Sequence, residues 1–446
     1  FRSIELLHMP KLHIASDGIF GYTKSIEYDT LGNPVCAYLH TEVELQNETL
    51  ENKMALVEVF LTKDGCDEVL LSRKQKMQIN PNTTDTAYLN LTLENPELWD
   101  VENPNLYKLH ARVTDLGVFK THFVPSEKNT TDETSVLFGV KTITADVKHG
   151  LRINGKTVKL KGGCIHHDNG LLGACAYEFA ERRKIRILLD AGYNAIRSAH
   201  NPCSKALLRA CDEMGMLVMD EYIDGWYIHK TKYDYADEIL ENYRKDLKDM
   251  VDKDYNHPSV IMYSTGNEVS ETAQKKGIAL TKSLTDRLHE LDSTRPVSCG
   301  INIFFNFLSS MGFGVYSDKK ADEAAENAKK KKAVGSEFYN TVAGIFGAGF
   351  MKTGATLYPC DVKTRDAYAN MDVAGYNYGI KRYRHDLKKY PKRLILGTET
   401  FCKDAYSFWE IAKKNKRILG DFVWSGWEYI GETGDGAAEY EDYRGR

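Results

Sequence analysis

Two glutamates in this sequence directly follow apolar runs, where a carboxylate can be held at the end of a buried strand. Glu268 ends the stretch "VIMYSTGNE", residues 260–268, and Glu399 ends "LILGTE", residues 394–399. A carboxylate in such a place can act as a proton donor, a base or a nucleophile. Taken alone, each glutamate is more often a helix-start or surface residue. The side chains that accompany it therefore matter.

Polar and aromatic residues follow the other apolar runs. They are His167 and Asp168 after "KLKGGCI", Arg197 and His200 in "NAIRSAH", Asn267 beside Glu268, Tyr378 after "VAGYN", and Trp424 in "FVWSGW". Cleavage of a glycoside needs one acid to protonate the leaving oxygen and a second group to stabilise or attack the anomeric carbon. We expect Arg197 to hold Glu399 ionised, and a less polar setting to keep Glu268 protonated. Trp424 would supply a flat apolar wall for a sugar ring.

The pattern of apolar residues that indicates the secondary structure around these side chains changes along the chain. From about residue 158, eight short apolar runs alternate with helix-like segments, and "YEFAERRKIRILLDAG" and "KALLRACDEMG" both end in the glycine that stops a helix. This alternation predicts a closed parallel (β/α)8 barrel, in which the ends of the strands converge on one site. An open doubly wound sheet is the alternative, but no glycine-rich phosphate turn follows the first run.

In the part of the chain before the barrel, the hydrophobicity of the residues has a period of two. Segments such as "ALVEVFLT" and "AYLNLTLE" alternate apolar and polar residues, which predicts an antiparallel β-sandwich. "HGLRINGKTVKLKG" predicts a hairpin with an Asn-Gly turn. Within the barrel, we expect "KKADEAAENAKKKKA" (319–333) to form a charged helix or solvated loop. We expect the glycine-rich "AGIFGAGFMKTG" (343–354) to form a mobile loop over one barrel end.

Composition excludes several classes of partner. The chain has 446 residues with 59 Lys and Arg against 63 Asp and Glu, a net charge of −4, which gives no electrostatic reason to expect nucleic acid. No apolar run approaches the roughly 20 residues needed to cross a bilayer, so we expect no membrane association. His167 and His200, with Asp168 or Glu221, lack the spacing of a metal site.

Several motifs together resemble glycoside hydrolase family 2, the group that holds β-galactosidases, β-glucuronidases and β-mannosidases. "NHPSVIMYSTGNEV" is similar to the acid/base segment of that family, and "LILGTET" is similar to its nucleophile segment. "LKGGCIHHDNGLLG", "NAIRSAHNP", "DVAGYNY" and "FVWSGWEYIGE" resemble further family blocks in the expected order. "ELWDVENPNLY" and "LFGVKTI" resemble the end of the immunoglobulin-like domain that precedes the family's barrel.

The resemblance implies a retaining exo-β-glycosidase with Glu268 as general acid/base and Glu399 as nucleophile, their carboxyl groups about 5 to 5.5 Å apart. It implies that Asn267 contacts the sugar 2-hydroxyl and that Tyr378 hydrogen-bonds the nucleophile. The other predicted substrate-binding residues are His167, Asp168, Arg197, His200 and Trp424. A β-galactosidase is favoured. A β-glucuronidase of the same family and a non-catalytic carbohydrate-binding relic stay open as alternatives.

The resemblance also divides the chain. Residues 1–10 would be the tail end of a missing jelly-roll domain, 11–145 an immunoglobulin-like β-sandwich, and 146–446 a catalytic TIM barrel truncated at its last helix. The chain has no initiating Met, so we expect an excerpt of a longer protein. The magnesium-binding N-x-E-x-H pattern of some family members is replaced by "DEYIDGW", so we expect no metal or other cofactor. A glycoside or oligosaccharide is the expected substrate, while homo-oligomerisation and a cytoplasmic or secreted location stay open.

Overall fold

The computed structural model of the chain describes residues 2–119, 123–125, 131–231, 233–314 and 348–428. Within these residues a β-sandwich is followed by a small three-stranded sheet and then by a closed barrel of eight parallel strands. The charged segment 319–333 lies outside the described residues, as does the first part of the glycine-rich segment 343–354.

The sandwich consists of two antiparallel sheets around one apolar core. Its strands are β1 (Leu12–Tyr28), β2 (Pro34–Asn47), β3 (Lys53–Lys63), β4 (Val69–Ile79), β5 (Thr83–Glu94), β6 (Tyr107–Phe119), β7 (Phe123–Pro125) and β8 (Thr131–Phe138). One sheet has the order β1-β2-β5, and the other has the order β4-β3-β6-β7, with β8 also paired to β6. Every second residue of β5 from Ala87 to Leu93 is buried in the shared core. The predicted alternation therefore has its expected cause.

A hairpin and a buried tryptophan connect the sandwich to the barrel. Strands β9 (Ile143–Asp146), β10 (Gly150–Ile153) and β11 (Lys156–Thr157) form the small sheet. Asn154 and Gly155, with φ of 51° and 77°, make the predicted turn, because a tight hairpin of this kind needs positive φ at both central residues. Trp99 is fully buried, and its indole Nε1 donates to the carbonyl of Asp212 at 2.8 Å.

The barrel has the eight strands that the apolar runs predicted. They are β12 (Leu160–Ile165), β13 (Ala195–Ser198), β14 (Leu217–Glu221), β15 (Val260–Asn267), β16 (Val297–Asn302), β17 (Val373–Asn377), β18 (Leu394–Phe401) and β19 (Ile418–Trp427). They pair in this order, all parallel, and β12 closes the ring against β19. All eight residues of β15 are buried, as expected for a parallel strand covered on both faces. The predicted fold class is confirmed.

Helices cover the outside of the barrel. The described α-helices are Glu178–Asp190, Lys205–Met214, Ile239–Asp254, Lys275–Leu291, Ile303–Ser310, Ala348–Gly354, Tyr358–Tyr368, Tyr383–Lys389 and Ala405–Ala412. Gly215, with φ of 75°, ends the second of them as its sequence predicted. Among the described helices, none is both long and apolar enough to span a membrane.

The prediction of a loop over 343–354 is wrong for its second half, which is the helix Ala348–Gly354. Its glycines made a loop the natural expectation, because glycine is a poor helix former. Tertiary contacts override that preference here. Met351 is buried, Lys352 forms an ion pair with Asp404, and the backbone of Gly354 lies against the ring of Phe304 where a Cβ would overlap it.

The seam that closes the barrel yields a stability prediction. Gly420 of β19 pairs with Leu160 of β12, and a Cβ at Gly420 would overlap the backbone and Cβ of Leu160. We expect Gly420→Ala to lower the free energy of unfolding by about 1–3 kcal/mol, since overpacking of a rigid core costs that much. Gly349→Ala is the control, because its Cβ would meet no atom within 4 Å. Urea unfolding of both variants checks this, and equal stabilities would contradict it.

Candidate active site

The carboxyl-terminal ends of the barrel strands carry the polar residues that the sequence predicted. His167 and Asp168 follow β12, Arg197 lies in β13 with His200 just beyond it, Asn267 ends β15 before Glu268, Tyr378 follows β17, Glu399 lies in β18, and Trp424 lies in β19. These ends meet on one face of a closed barrel. The question is then which of these side chains contact each other.

Arg197 lies at the centre of the hydrogen-bond network. Its side chain is fully buried. Its Nη1 donates to Oε1 of Glu399 at 2.8 Å, its Nε to Oε2 of Glu221 at 2.8 Å, and its Nη2 to Oδ1 of Asn267 at 3.0 Å. The network thus joins β13, β14, β15 and β18. Because Arg197 has no exposed surface, it acts on the site through these three partners.

Burial and ion pairing act against each other in this cluster. Burial by itself would lower the pKa of the Arg197 guanidinium, but the negative charges of Glu221 and Glu399 outweigh it and raise the pKa. Burial by itself would raise the pKa of Glu221. The charge of Arg197 and a hydrogen bond from His200 outweigh that effect and lower the pKa. The pair is therefore charged at neutral pH.

The side-chain amide of Asn267 has all of its hydrogen-bonding capacity in use. Its Oδ1 accepts from Arg197 and from Nδ2 of Asn377, both at 3.0 Å. Its Nδ2 donates to Nε2 of His200 at 3.2 Å and to Oδ1 of Asp224 at 3.1 Å. A sugar hydroxyl would have to replace or share one of these four bonds. The amide is thereby fixed in orientation directly before Glu268.

Glu268 is half-buried and held by two amides. Its Oε1 accepts from Nδ2 of Asn302 at 2.9 Å and from Nδ2 of Asn377 at 3.3 Å. Its backbone N–H donates to the carbonyl of Gly300 at 2.8 Å, and its φ is 43°, in the left-handed region. A non-glycine residue rarely adopts this conformation unless its surroundings enforce it. The backbone therefore turns at this residue to direct the carboxylate.

The environment of Glu268 favours its protonated form. Burial first, and then the negative charge of Glu399, raise the pKa of the Glu268 carboxyl to about 7. The positive charge of Lys230 and the hydrogen bonds from Asn302 and Asn377 oppose this rise. The expected elevated pKa is thus present. Its cause includes a neighbouring carboxylate as well as the less polar setting that we expected.

Glu399 is held by Tyr378 as well as by Arg197. The backbone N–H of Tyr378 donates to the carbonyl of Glu399 at 2.7 Å, and its phenol lies near enough to the Glu399 carboxylate to respond to that charge. Burial, followed by the negative charges of Glu399 and Glu268, raises the pKa of the Tyr378 phenol well above its usual value. The phenol therefore stays a neutral donor. Its ring stacks on Phe401 with centroids 4.3 Å apart, which fixes the direction of the hydroxyl.

His200 and Trp424 form the aromatic part of the site. Nδ1 of His200 donates to Oε1 of Glu221 at 2.7 Å. Burial by itself would lower the pKa of His200, but the hydrogen bond to Glu221 and its charge outweigh burial and raise the pKa. The Trp424 ring stacks on His200 with centroids 5.5 Å apart and an angle of 4°, and meets His166 edge-on at 5.1 Å. Trp424 is half-buried, so part of it can form a wall.

An open cleft of about 520 Å³ lies beside this network. Its lining includes His166, His167, Asp168, His200, Asn201, Asp224 and Glu428. His167 donates through Nε2 to the carbonyl of Asn201 at 3.1 Å, and Oδ1 of Asp168 accepts from the N–H of Gly170 at 2.8 Å. Neither Glu268 nor Glu399 is among the described residues that line the cleft. The structure thus brings His167, Asp168 and His200 together in the cleft, and it brings the two glutamates together through the network behind His200.

Four residues of the network, Asn302, Asn377, Asp224 and Lys230, were not among the predicted site residues. Asn302 ends β16 as Asn267 ends β15, so following that apolar run by one more residue would have found it. Asn377 ends β17 and Asp224 stands just past β14, whereas Lys230 lies further along the loop after β14, where no strand end or spacing marks it. In the described part of the chain, no three His, Cys, Asp or Glu side chains come together in a way that could hold a metal ion.

The buried position of Arg197 allows a stability prediction. Arg197→Met keeps the side chain at about the same length but leaves Glu221 and Glu399 without their counter-charge. We expect a loss of about 3–5 kcal/mol in the free energy of unfolding, because an uncompensated buried charge costs that much. The double variant Arg197→Met with Glu221→Gln should recover part of this loss. Urea unfolding near neutral pH checks both, and a single variant as stable as wild type would refute the buried ion pair.

Two family models match the chain, and both describe one family. "Glycosyl hydrolases family 2, TIM barrel domain" matches residues 146–357, and "Glycosyl hydrolases family 2" matches residues 26–140. The first match lies on the barrel and the small sheet before it. The second lies on the sandwich. The two matches follow each other along the chain as the two parts of the fold do.

Curated relatives and solved structures agree with this assignment. Beta-galactosidase BoGH2A of Bacteroides ovatus is 28% identical to this chain, and the match covers 97% of this chain and 51% of that protein. A putative beta-glucuronidase of Formosa agariphila is 29% identical over 440 residues, covering 97% of this chain and 38% of that protein. The chain thus spans about half the length of these relatives, or less. The crystal structure of a glycosyl hydrolase family 2 member from Bacteroides cellulosilyticus, 31% identical, matches 94% of this chain and 45% of that chain with a TM-score of 0.75. The chain belongs to glycosyl hydrolase family 2.

Proposed function

We propose that this chain carries the catalytic barrel of a retaining exo-β-glycosidase, with Glu399 as nucleophile and Glu268 as general acid/base. One observation carries the proposal. Two carboxylates at the same end of one barrel have opposite environments, since Glu399 is ion-paired with Arg197 while burial and Glu399 raise the pKa of Glu268 to about 7. Such different environments let one carboxyl group act as the acid and the other as the nucleophile.

The proposed reaction has two steps. In the first, the Glu399 carboxylate attacks the anomeric carbon while Glu268 gives its proton to the departing glycosidic oxygen, which leaves as an alcohol. In the second, Glu268 takes a proton from water, which attacks the same carbon and releases Glu399. Two inversions return the original anomeric configuration. The backbone N–H of Tyr378 donates to the carbonyl of Glu399 and so helps to hold the nucleophile's strand end in position for the first step.

The remaining predicted residues have supporting roles in this proposal. His167 and Asp168 face the cleft and would contact sugar hydroxyls. His200 also lines the cleft and would contact a sugar hydroxyl, while its bonds to Glu221 and Asn267 fix its ring. Trp424 would form the apolar wall. The positions of His167, Asp168 and His200 in the cleft lining support these roles.

We favour a β-galactoside over a β-glucuronide as substrate. The cleft lining carries the carboxylates of Asp168, Asp224 and Glu428, and the carboxylate of a uronic acid would be repelled by such a wall. BoGH2A, which matches 97% of the chain, is named a beta-galactosidase, which supports the same choice. The putative beta-glucuronidase also matches 97% of the chain, so a β-glucuronide is the alternative substrate. A panel of nitrophenyl β-glycosides separates the two.

The nucleophile can be tested with azide. We expect Glu399→Gly to lose turnover and to regain it with azide, yielding an α-glycosyl azide from a β-glycoside, because azide would attack from the face that the carboxylate vacates. Glu268→Gly is the matched control. Its azide product should be the β-anomer, since the glycosyl-enzyme still forms. NMR of the products distinguishes the anomers, and undiminished activity of Glu399→Gly would remove this residue from the mechanism.

The raised pKa of Glu268 predicts a pH profile. Glu268 must be protonated to act as the acid, and this form is lost as the pH rises through its pKa of about 7. We therefore expect kcat/KM to fall above about pH 7 by up to roughly tenfold per unit. In Glu268→Gln this fall of kcat/KM above about pH 7, the alkaline limb of the profile, should disappear. The variant should also lose roughly 10²–10⁴-fold of its rate on substrates with poor leaving groups. Circular dichroism over the same range controls for unfolding, and a limb that persists in Glu268→Gln would assign it to another group.

A further inference from the structure

Lys230 attaches the loop after β14 to the backbone that carries Glu268. Its side chain is 18% exposed. Its Nζ donates to Oδ1 of Asp224 at 2.9 Å, to the carbonyl of Asp224 at 3.0 Å and to the carbonyl of Asn267 at 2.8 Å. An ammonium group has three protons, and these three contacts use them all. The last acceptor belongs to the peptide bond that joins Asn267 to Glu268.

Asp224 completes the attachment from the other side. Its Oδ1 accepts from Nδ2 of Asn267 at 3.1 Å, and its carbonyl accepts from the N–H of Asn267 at 3.2 Å. Lys230 and Asp224 therefore fix both the side chain and the backbone of the residue before Glu268. The N–H of Glu268 is bonded in turn to the carbonyl of Gly300. The peptide entering Glu268 is thus held at both its carbonyl and its N–H.

Lys230 and Asp224 restrain the peptide that precedes a residue of unfavourable backbone conformation. Glu268 has φ of 43°, which a residue with a Cβ adopts only when the surrounding contacts enforce it. Without Lys230, the carbonyl of Asn267 would lose its contact and the peptide could rotate toward a more common conformation. The Glu268 carboxylate would then leave the amides of Asn302 and Asn377. Removal of Lys230 is therefore expected to move the carboxylate that donates the proton.

We propose that Lys230 is a positioning residue for the acid/base Glu268, and that it acts by holding the Asn267–Glu268 peptide and by placing a cation near the carboxylate. This inference rests on the proposed function of Glu268. It assigns to Lys230 two separable contributions, one from its hydrogen bonds and one from its charge.

The charges around Glu268 determine in which direction the Lys230 charge shifts the pKa of Glu268. Glu399 from β18 raises the pKa of Glu268, and Lys230 from the loop after β14 lowers it. Asp224 and Glu271 lie on the Lys230 side, and both stabilise the ammonium. Arg197 is paired with both Glu399 and Glu221, His200 is bonded to Glu221, and the Tyr378 phenol, which also faces Glu268, stays neutral. Removing the Lys230 charge should thus raise the pKa of Glu268 further and shift the alkaline limb of kcat/KM to higher pH.

Three variants separate the two contributions. Lys230→Met removes both the charge and the donors, Lys230→Gln keeps an amide donor without the charge, and Lys230→Arg keeps both. We expect Lys230→Met to lose at least ~10-fold more kcat/KM on a methyl β-glycoside than on a dinitrophenyl β-glycoside, because only the poor leaving group needs the proton. Both Met and Gln variants should move the alkaline limb upward. Lys230→Arg should restore the limb and the leaving-group ratio.

Lys253→Met is the matched control. Lys253 is similarly enclosed, with 13% of its side chain exposed, and forms ion pairs with Asp220 and Asp254 outside the site. We expect it to lose stability without moving the limb or the leaving-group ratio. If Lys230→Met does not fold, Lys230→Gln carries the test of charge. Wild-type protein without turnover of any β-glycoside would refute the proposed function. Active wild type with an unchanged limb and ratio in the folded Lys230 variants would refute the role of Lys230 alone.

Discussion

The burial of one guanidinium group among carboxylates is the constraint on which the rest of the site depends. Arg197 has no exposed surface and bonds Glu399, Glu221 and Asn267, which lie on three different strands. Taking such charges out of water is expensive unless each finds its partner with good geometry. The barrel satisfies this requirement by bringing the ends of three strands to within hydrogen-bond distance of one side chain. A shift of β14 or β18 would move a buried carboxylate away from its counter-charge.

The same charges make the two glutamates different. Glu399 receives the guanidinium of Arg197, whereas Glu268 receives two neutral amides and faces the negative charge of Glu399. Proximity to an ion-paired carboxylate thus helps to keep a second carboxylate protonated near neutral pH. Lys230 limits this effect, since it is the cation that opposes the rise in the pKa of Glu268. In this way the proposed acid and the proposed nucleophile depend on each other.

Backbone conformation also shapes the site. Glu268 and Tyr378 both have positive φ, 43° and 55°, at the ends of β15 and β17. Each turns its side chain away from the strand direction and toward the other strands. The helix Ala348–Gly354 acts on the same region from outside, because its Met351 contacts Asn302, which donates to Glu268. Gly354 at the end of that helix packs closely on Phe304, in a segment that we had expected to be a loop.

The sequence by itself determined the strand order of the barrel, the hairpin at Asn154 and Gly155, and the residues that stand at the strand ends. These features follow from local periodicity and turn chemistry, which neighbouring residues alone produce. Only the tertiary structure decided which strand-end residues contact each other. The pairing of Arg197 with Glu399 was expected, but its bonds to Glu221 and Asn267 were not, and Lys230 meets the carbonyl of Asn267 from a loop without a recognisable pattern. Such pairings depend on barrel closure and loop path, so no local property of the chain could reveal them.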